Sequence, residues 1–178
     1  MKTDPGQDYR NGGEWTYEQK ILGIAGTVQD RGKGGGMSRG ERAELRRMGD
    51  RNLFPPEPFW RIVGRYEIPP SEEPFWRAVI PLMVMHPHNS GVRAGAALAE
   101  AGVSSSRIER WLRYDPSRAR EEARRLLARL DAGLDWVRFA RLLRWWTDSD
   151  RRRFARDFFL SPAYREREKE TEGKETKE

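Results

Sequence analysis

Arginine is the residue type in this chain with the abundance and spacing to do chemistry, and that chemistry is the gripping of anions. Between Ser104 and Leu160 it threads segments of helical apolar periodicity: Arg107, Arg110 and Arg113 at intervals of three, then Arg118, Arg124, Arg125 and Arg129, then Arg138, Arg141 and Arg144. A planar guanidinium donates two parallel hydrogen bonds to a phosphate and also stacks on bases. The charge is unevenly spread. Residues 93–164 hold 16 Arg and no Lys against 10 acidic residues, a balance of +6. Residues 1–92 hold 13 basic and 12 acidic groups, and the last fourteen residues hold 5 and 6, so these regions contribute +1 and −1. The net +6 of the chain thus sits on one half of it, and with a pI near 9.9 it is the electrostatic footprint of a nucleic-acid binder.

The constellations an enzyme would need are missing. There is no cysteine, which removes disulfides, thiolate metal sites and cysteine nucleophiles together. His86 and His88 flank a proline in a turn, without a third histidine or a nearby carboxylate to complete a metal site. The run GTVQDRGKG from Gly26 to Gly34 has five residues between its first glycines where a phosphate-binding P-loop has four, Gly34 where Ser or Thr must hold magnesium, and no preceding strand. Asp148, Asp150 and Asp157 stand among arginines that would oppose a divalent ion, and helix capping accounts for the first two. Capping also accounts for Ser104 to Ser106. No catalytic residue, metal or cofactor is expected. Among the aromatics, Trp111, Trp136 and Trp146 fall on apolar stripes and read as core. Trp145, at the edge of an arginine wedge, is the aromatic candidate for contact with a base or a partner.

The elements that must position these arginines are helices, since no run alternates with period two for long. Residues 1–14 read as a flexible leader. Helices are expected over 15–29, over 38–50 with a Ser38/Glu41 capping box, over 58–66 after the prolines at 55, 56 and 58, and over 75–86, which is apolar on all sides despite Pro81. The Gly-rich stretch 31–36, RGKGGG, reads as a mobile loop. His86 to Gly91 is a turn-rich boundary between lobes. Beyond it lie VRAGAALAEAG, ending at Gly102, and SSSRIERWLRY with a capping box from Ser106 to Glu109. A helix capped by Asp115 and opened by Pro116 should run to about Asp131, and another capped by Asp135 carries WVRFARLLRWW. Thr147 to Asp150 forms a break before RRRFARDFFL, which should bury Phe154, Phe158 and Phe159. From Tyr164 onward no apolar residue offsets the entropy of ordering, so 165–178 reads as a disordered charged tail. The expectation is an all-α, two-lobed helical bundle, with an N-terminal helical lobe over 15–88 and a C-terminal Arg-rich bundle over 89–164. No apolar run reaches the ~20 residues of a membrane span, and the N-terminus lacks the apolar core of a signal peptide, so a soluble cytoplasmic protein without a membrane partner is expected.

The order and spacing of ALAEAG, SRIERWLRYD, RRLLARL, LDWVRFARLLRWW and ARDFFL resemble the C-terminal half of the CasB family, the small subunit of the type I-E CRISPR surveillance complex Cascade. AELRRMG and the Phe59–Trp60 segment resemble that family's N-terminal helices, and the likeness covers roughly residues 15–160. The resemblance implies a non-catalytic, all-helical subunit present as a homodimer within the complex. It would contact guide RNA, target DNA and other Cascade subunits, the repeated backbone subunit above all. It would stabilise the R-loop and the displaced strand without reading sequence, since phosphate contacts supply affinity and guide pairing supplies specificity. Carried onto this sequence, the resemblance selects Arg113, Arg125, Arg46 and Arg47 first, then Arg107, Arg110, Arg124, Arg141 and Arg144, each as a phosphate or subunit contact. A stand-alone helix-turn-helix DNA-binding regulator is the competing reading. It would need base-reading polar residues on one helix, whereas here Asn and Gln are scarce and Arg is spread over several.

Overall fold

In the computed structural model the described residues are 14–30, 36–48 and 54–175, with side chains described as far as 171. Residues 1–13 of the expected leader and 31–35 of the Gly-rich loop lie outside them. Among the described residues helices are the only extended regular elements, so the fold is all-α. The chain divides into two compact units, Met1–His88 and Asn89–Glu178.

The first unit holds α1 (Tyr17–Gln29), α2 (Arg39–Arg47), α3 (Glu57–Arg65) and α4 (Glu73–Met85). Two capping boxes start helices here. Thr16 and Gln19 exchange side-chain and backbone hydrogen bonds at 3.2 and 2.9 Å, and Ser38 and Glu41 do so at 3.2 and 2.6 Å. Burial of Phe75, Trp76, Val79, Ile80, Leu82 and Met83 makes α4 the central helix of the unit, packed against α1 and α2. Tyr66 closes the core from the end of α3. Its hydroxyl lies 2.7 Å from that of Thr27, and its ring occupies the space that a Cβ at Gly23 would need.

The second unit holds α5 (Ala94–Glu100), α6 (Ser105–Leu112), α7 (Pro116–Leu127), α8 (Trp136–Trp145), α9 (Asp148–Phe159) and α10 (Pro162–Glu175). Its core is built round Trp111, whose ring lies 4.9 Å from Trp146, 5.1 Å from Phe154 and 6.2 Å from Phe139, and whose indole donates to the Ala119 carbonyl at 3.0 Å. α5 ends in a Schellman motif: Gly102 takes φ +73°, its N–H bonds the Ala99 carbonyl, and Val103 bonds Leu98. Asp115 caps α7 through the N–H groups of Ser117 and Arg118, at 3.0 and 3.1 Å, and Asp135 caps α8 through Arg138 at 3.2 Å.

Several boundaries differ from the sequence reading. α6 begins at Ser105, so the N-cap is Ser104, without a side-chain cap; Ser106 lies inside the first turn and its Oγ sits 3.3 Å from that of Ser104. α7 stops at Leu127, short of Asp131. The break before α9 is two residues, Trp146 and Thr147, and α9 already begins at Asp148, with the Thr147 hydroxyl accepting the Asp150 N–H at 3.1 Å. Phe159 is only partly buried. The charged segment expected as a disordered tail carries α10 as far as Glu175. Ser161 Oγ accepts the Tyr164 N–H at 3.2 Å, Pro162 opens the helix, and the Tyr164 ring packs 5.3 and 5.2 Å from Phe158 and Phe159. That aromatic contact anchors the start of the helix, and α10 packs against α5 as well as α9. The Tyr164 hydroxyl donates to Glu168 at 2.7 Å, which raises its pKa above the usual tyrosine range.

Candidate nucleic-acid interface

In the second unit the arginines fall into three groups, each fixed by a different helix contact. α6 and α7 enclose a groove of about 410 Å³ lined by Ser104, Ser106, Arg107, Arg110, Tyr114 and Glu122. Ile108 and Trp111 turn inward on α6, so Arg107 and Arg110 are left at the groove and Arg113 at the helix end. Arg107 Nη2 donates to the Arg125 carbonyl at 2.7 Å, locking α6 to the C-terminal turn of α7, where a cation is favoured. Arg125 pairs with Glu122 at 2.7 Å and Arg113 with Glu109 at 3.8 Å; both guanidinium side chains are more than 70% exposed, so these pairs are weak and separable. Arg118 lies 4.2 Å from the centroid of the Tyr114 ring.

A second group follows from α5 lying directly on α9. Gly95 makes that approach possible, because a Cβ there would stand 2.6 Å from the Phe154 carbonyl oxygen and 2.9 Å from the Phe158 nitrogen. The result is a narrow crevice lined by Arg93, Arg138, Arg141 and Arg153 with Asp150 and Asp157. Arg93 pairs with Asp157 at 3.0 Å, Arg138 with Asp135 at 3.3 Å, and both Arg141 and Arg153 approach the buried Asp150 at 3.4 Å. Asp150 also accepts the Thr147 hydroxyl at 2.7 Å. Asp148, the remaining aspartate weighed as a metal ligand, pairs with Arg151.

The third group has cations side by side. Arg120 is partly buried and donates to the Leu143 carbonyl at 3.1 Å. Burial first, and then the charge of Arg144, push its pKa below the usual guanidinium value. Arg141 stands 5.3 Å from the ring centroid of Trp145, which is 47% exposed, while Trp111, Trp136 and Trp146 are buried as the apolar stripes require.

Of the nine sequence-selected arginines, the structure brings Arg107, Arg110 and Arg125 together at the α6/α7 groove, with Arg113 at the end of α6. Arg124 is half-buried on α7, and Arg141 and Arg144 lie on α8. Arg46 and Arg47 belong to the first unit, exposed on the last turn of α2. Sequence reasoning missed Arg93, Arg120 and Arg153. The small-residue run Ala94–Ala97 was the available signal for the first, since a helix so bare can lie against another backbone. No group of three or more His, Cys, Asp or Glu among the described residues is placed to hold a metal ion.

Residues 41–159, from the first turn of α2 to the end of α9, match the family described as CRISPR-associated protein Cse2. The chain belongs to the Cse2 family. All nine selected arginines lie inside the matched span, while α1 and α10 lie outside it. Among curated proteins, the Cascade subunit CasB of Escherichia coli K12 is 29% identical over an alignment of 139 residues that takes in 70% of this chain and 87% of that one. Among solved structures, one chain of the crystal structure of E. coli Cascade bound to a PAM-containing double-stranded DNA target superposes with a TM-score of 0.59 at 24% identity, over 79% of this chain and 95% of that chain. At that identity the superposition speaks for the Cse2 fold. No helix among the described residues is long and apolar enough to cross a membrane.

Proposed function

We propose that this Cse2-family protein is a non-catalytic small subunit of a type I-E Cascade complex. It grips nucleic-acid backbone without reading sequence, and so steadies the guide RNA/target DNA R-loop and the displaced strand. Its working partners would be the guide RNA, the target DNA, the repeated backbone subunit and a second copy of itself, in the cytoplasm. The observation that carries this reading is the α6/α7 groove with its arginine rim, on a unit whose helices α6 to α9 contain no Asn or Gln. Guanidinium groups hold phosphates in that setting, and the side chains that read adenine edges are absent. Family membership and the name of the E. coli relative support the assembly; the same lack of Asn and Gln, with arginine spread over several helices, weighs against a free-standing operator-binding regulator.

The test is binding of labelled single- and double-stranded DNA across a salt series. Affinity should fall linearly in log–log form, by about 0.9 per phosphate contact on duplex and about 0.7 on single strands. Arg110→Ala with Arg113→Ala should flatten that slope by about one to two contacts and weaken all sequences alike. A strong preference for one duplex sequence that persists at high salt would sink the proposal and favour the regulator. Co-purification of the protein with guide RNA and other Cascade subunits tests the assembly directly.

A further inference from the structure

α8 ends on two tryptophans that go opposite ways. Trp146 takes φ 50° and ψ 35°, a left-handed conformation that a bulky L-residue adopts only under constraint. The constraint is visible: its indole donates to the Tyr114 carbonyl at 2.8 Å, and its ring stands edge-on to Trp111 at 4.9 Å. Trp145, one residue earlier, stays 47% exposed, with Arg141 5.3 Å from its ring centroid. Thr147 caps α9 immediately afterwards, so the Trp145 backbone is held between two anchored helix ends. Two further cations stand near this end of α8, since Arg144 adjoins Trp145 in sequence and its charge reaches Arg120.

We propose that Trp145 is a stacking platform for an unpaired base, so that the second unit takes single-stranded nucleic acid in preference to duplex. The inference rests on the backbone-gripping reading above and names its substrate class. An indole stacks on the face of any base and reads no edge, so it adds affinity without adding sequence preference. Bases inside a duplex are already stacked on their neighbours and closed to it. Arg141 against the ring holds the platform as a cation–π partner, and Arg144 with Arg120 presents charge to an adjoining phosphate. The rigid backbone set by Trp146 spares the platform the entropy of being ordered on binding.

The experiment compares wild type, Trp145→Ala and Trp145→Phe, as full-length protein, on oligothymidylate and on a blunt duplex of equal length over a salt series. Trp145→Ala should weaken oligothymidylate binding by about 5- to 150-fold, the range of one lost base stack. It should leave the salt slope intact, because no charge is removed, and leave duplex binding unchanged. Trp145→Phe should recover most of the loss. Equal losses on both ligands would overturn the proposal, and so would an unchanged affinity for oligothymidylate, which would assign the indole to a protein contact. Failure of the wild type to bind either ligand with salt dependence would instead bring down the backbone-gripping reading itself.

Discussion

Gly95→Ala should destabilise the second unit, although the same exchange in most helices stabilises. Replacing a glycine by alanine inside a helix gains up to about 1 kcal/mol in propensity. At Gly95 the new Cβ would stand 2.6 Å from the Phe154 carbonyl oxygen, 2.9 Å from the Phe158 nitrogen and 3.0 Å from the Asp157 Cβ. Ordinary contact begins near 3.4 Å, so α5 must back away from α9 by roughly 0.8 Å. The two nearest atoms are helix backbone and cannot swing aside. Overpacking of this kind costs about 1–3 kcal/mol, and the unyielding partner places the cost at the upper end. The clash therefore wins, with a net loss of about 1–2 kcal/mol.

Gly26→Ala, in α1, is the control, since nothing lies within 4 Å of a Cβ there and only the propensity gain should appear. Thermal unfolding followed by circular dichroism reads both, at about 4–8 °C per kcal/mol for a unit of this size. The exchange also pulls on function, because α5 carries Arg93 to its 3.0 Å pair with Asp157. A Gly95→Ala protein as stable as wild type would refute the reasoning, since it would mean that α5 does not rest on the α9 backbone.

Trp111→Ala removes the ring at the centre of the second unit together with its hydrogen bond to Ala119, and should cost about 3–5 kcal/mol in urea unfolding. Acid should also weaken the protein in a traceable way. The Ser38 backbone N–H above all lowers the Glu41 pKa, and the Arg118 backbone N–H lowers that of Asp115. Both groups are thus more acidic folded than unfolded. Their contribution is complete above the ordinary carboxylate range and is lost as pH falls through the lowered folded values. Asp115→Asn should make the urea midpoint fall less steeply with acid than in wild type, and an identical pH profile would contradict the assignment.

Local chemistry made most of the helices legible. Ser38 with Glu41, Asp115 with Pro116, and Asp135 each announce a helix start through a side chain that must satisfy a nearby N–H, and the structure places each of them at the N-cap. The serine run misled because Ser106 with Glu109 has the same spacing as a true box, while burial of Ile108 and Trp111 is served by a start at Ser105. α10 escaped because composition averages over the segment, whereas the helix is anchored by Tyr164 meeting Phe158 and Phe159 and by packing on α5. The site divides in the same way. Arg107 and Arg110 could be read from the face of one helix; Arg93 and Asp157, 64 residues apart, could not, since their meeting depends on how α5 packs.

Ion pairing changes what the arginine count means. Around the α5/α8/α9 crevice, Arg93, Arg138, Arg141 and Arg153 face Asp135, Asp150 and Asp157, so four cations leave a balance of +1. The other twelve arginines of residues 93–164 stand against seven acidic groups and hold the remaining +5. A phosphate arriving at Arg141 or Arg153 must compete with Asp150, a carboxylate already buried and already bonded to Thr147. One arriving at Arg110, on the open side of the groove, meets no such competitor within its pocket except Glu122, which Arg125 already holds. Counterion release follows the phosphates actually neutralised, not the arginines present. Arg93, Arg138, Arg141 and Arg153 therefore tie the unit together, and the α6/α7 groove carries the main backbone grip.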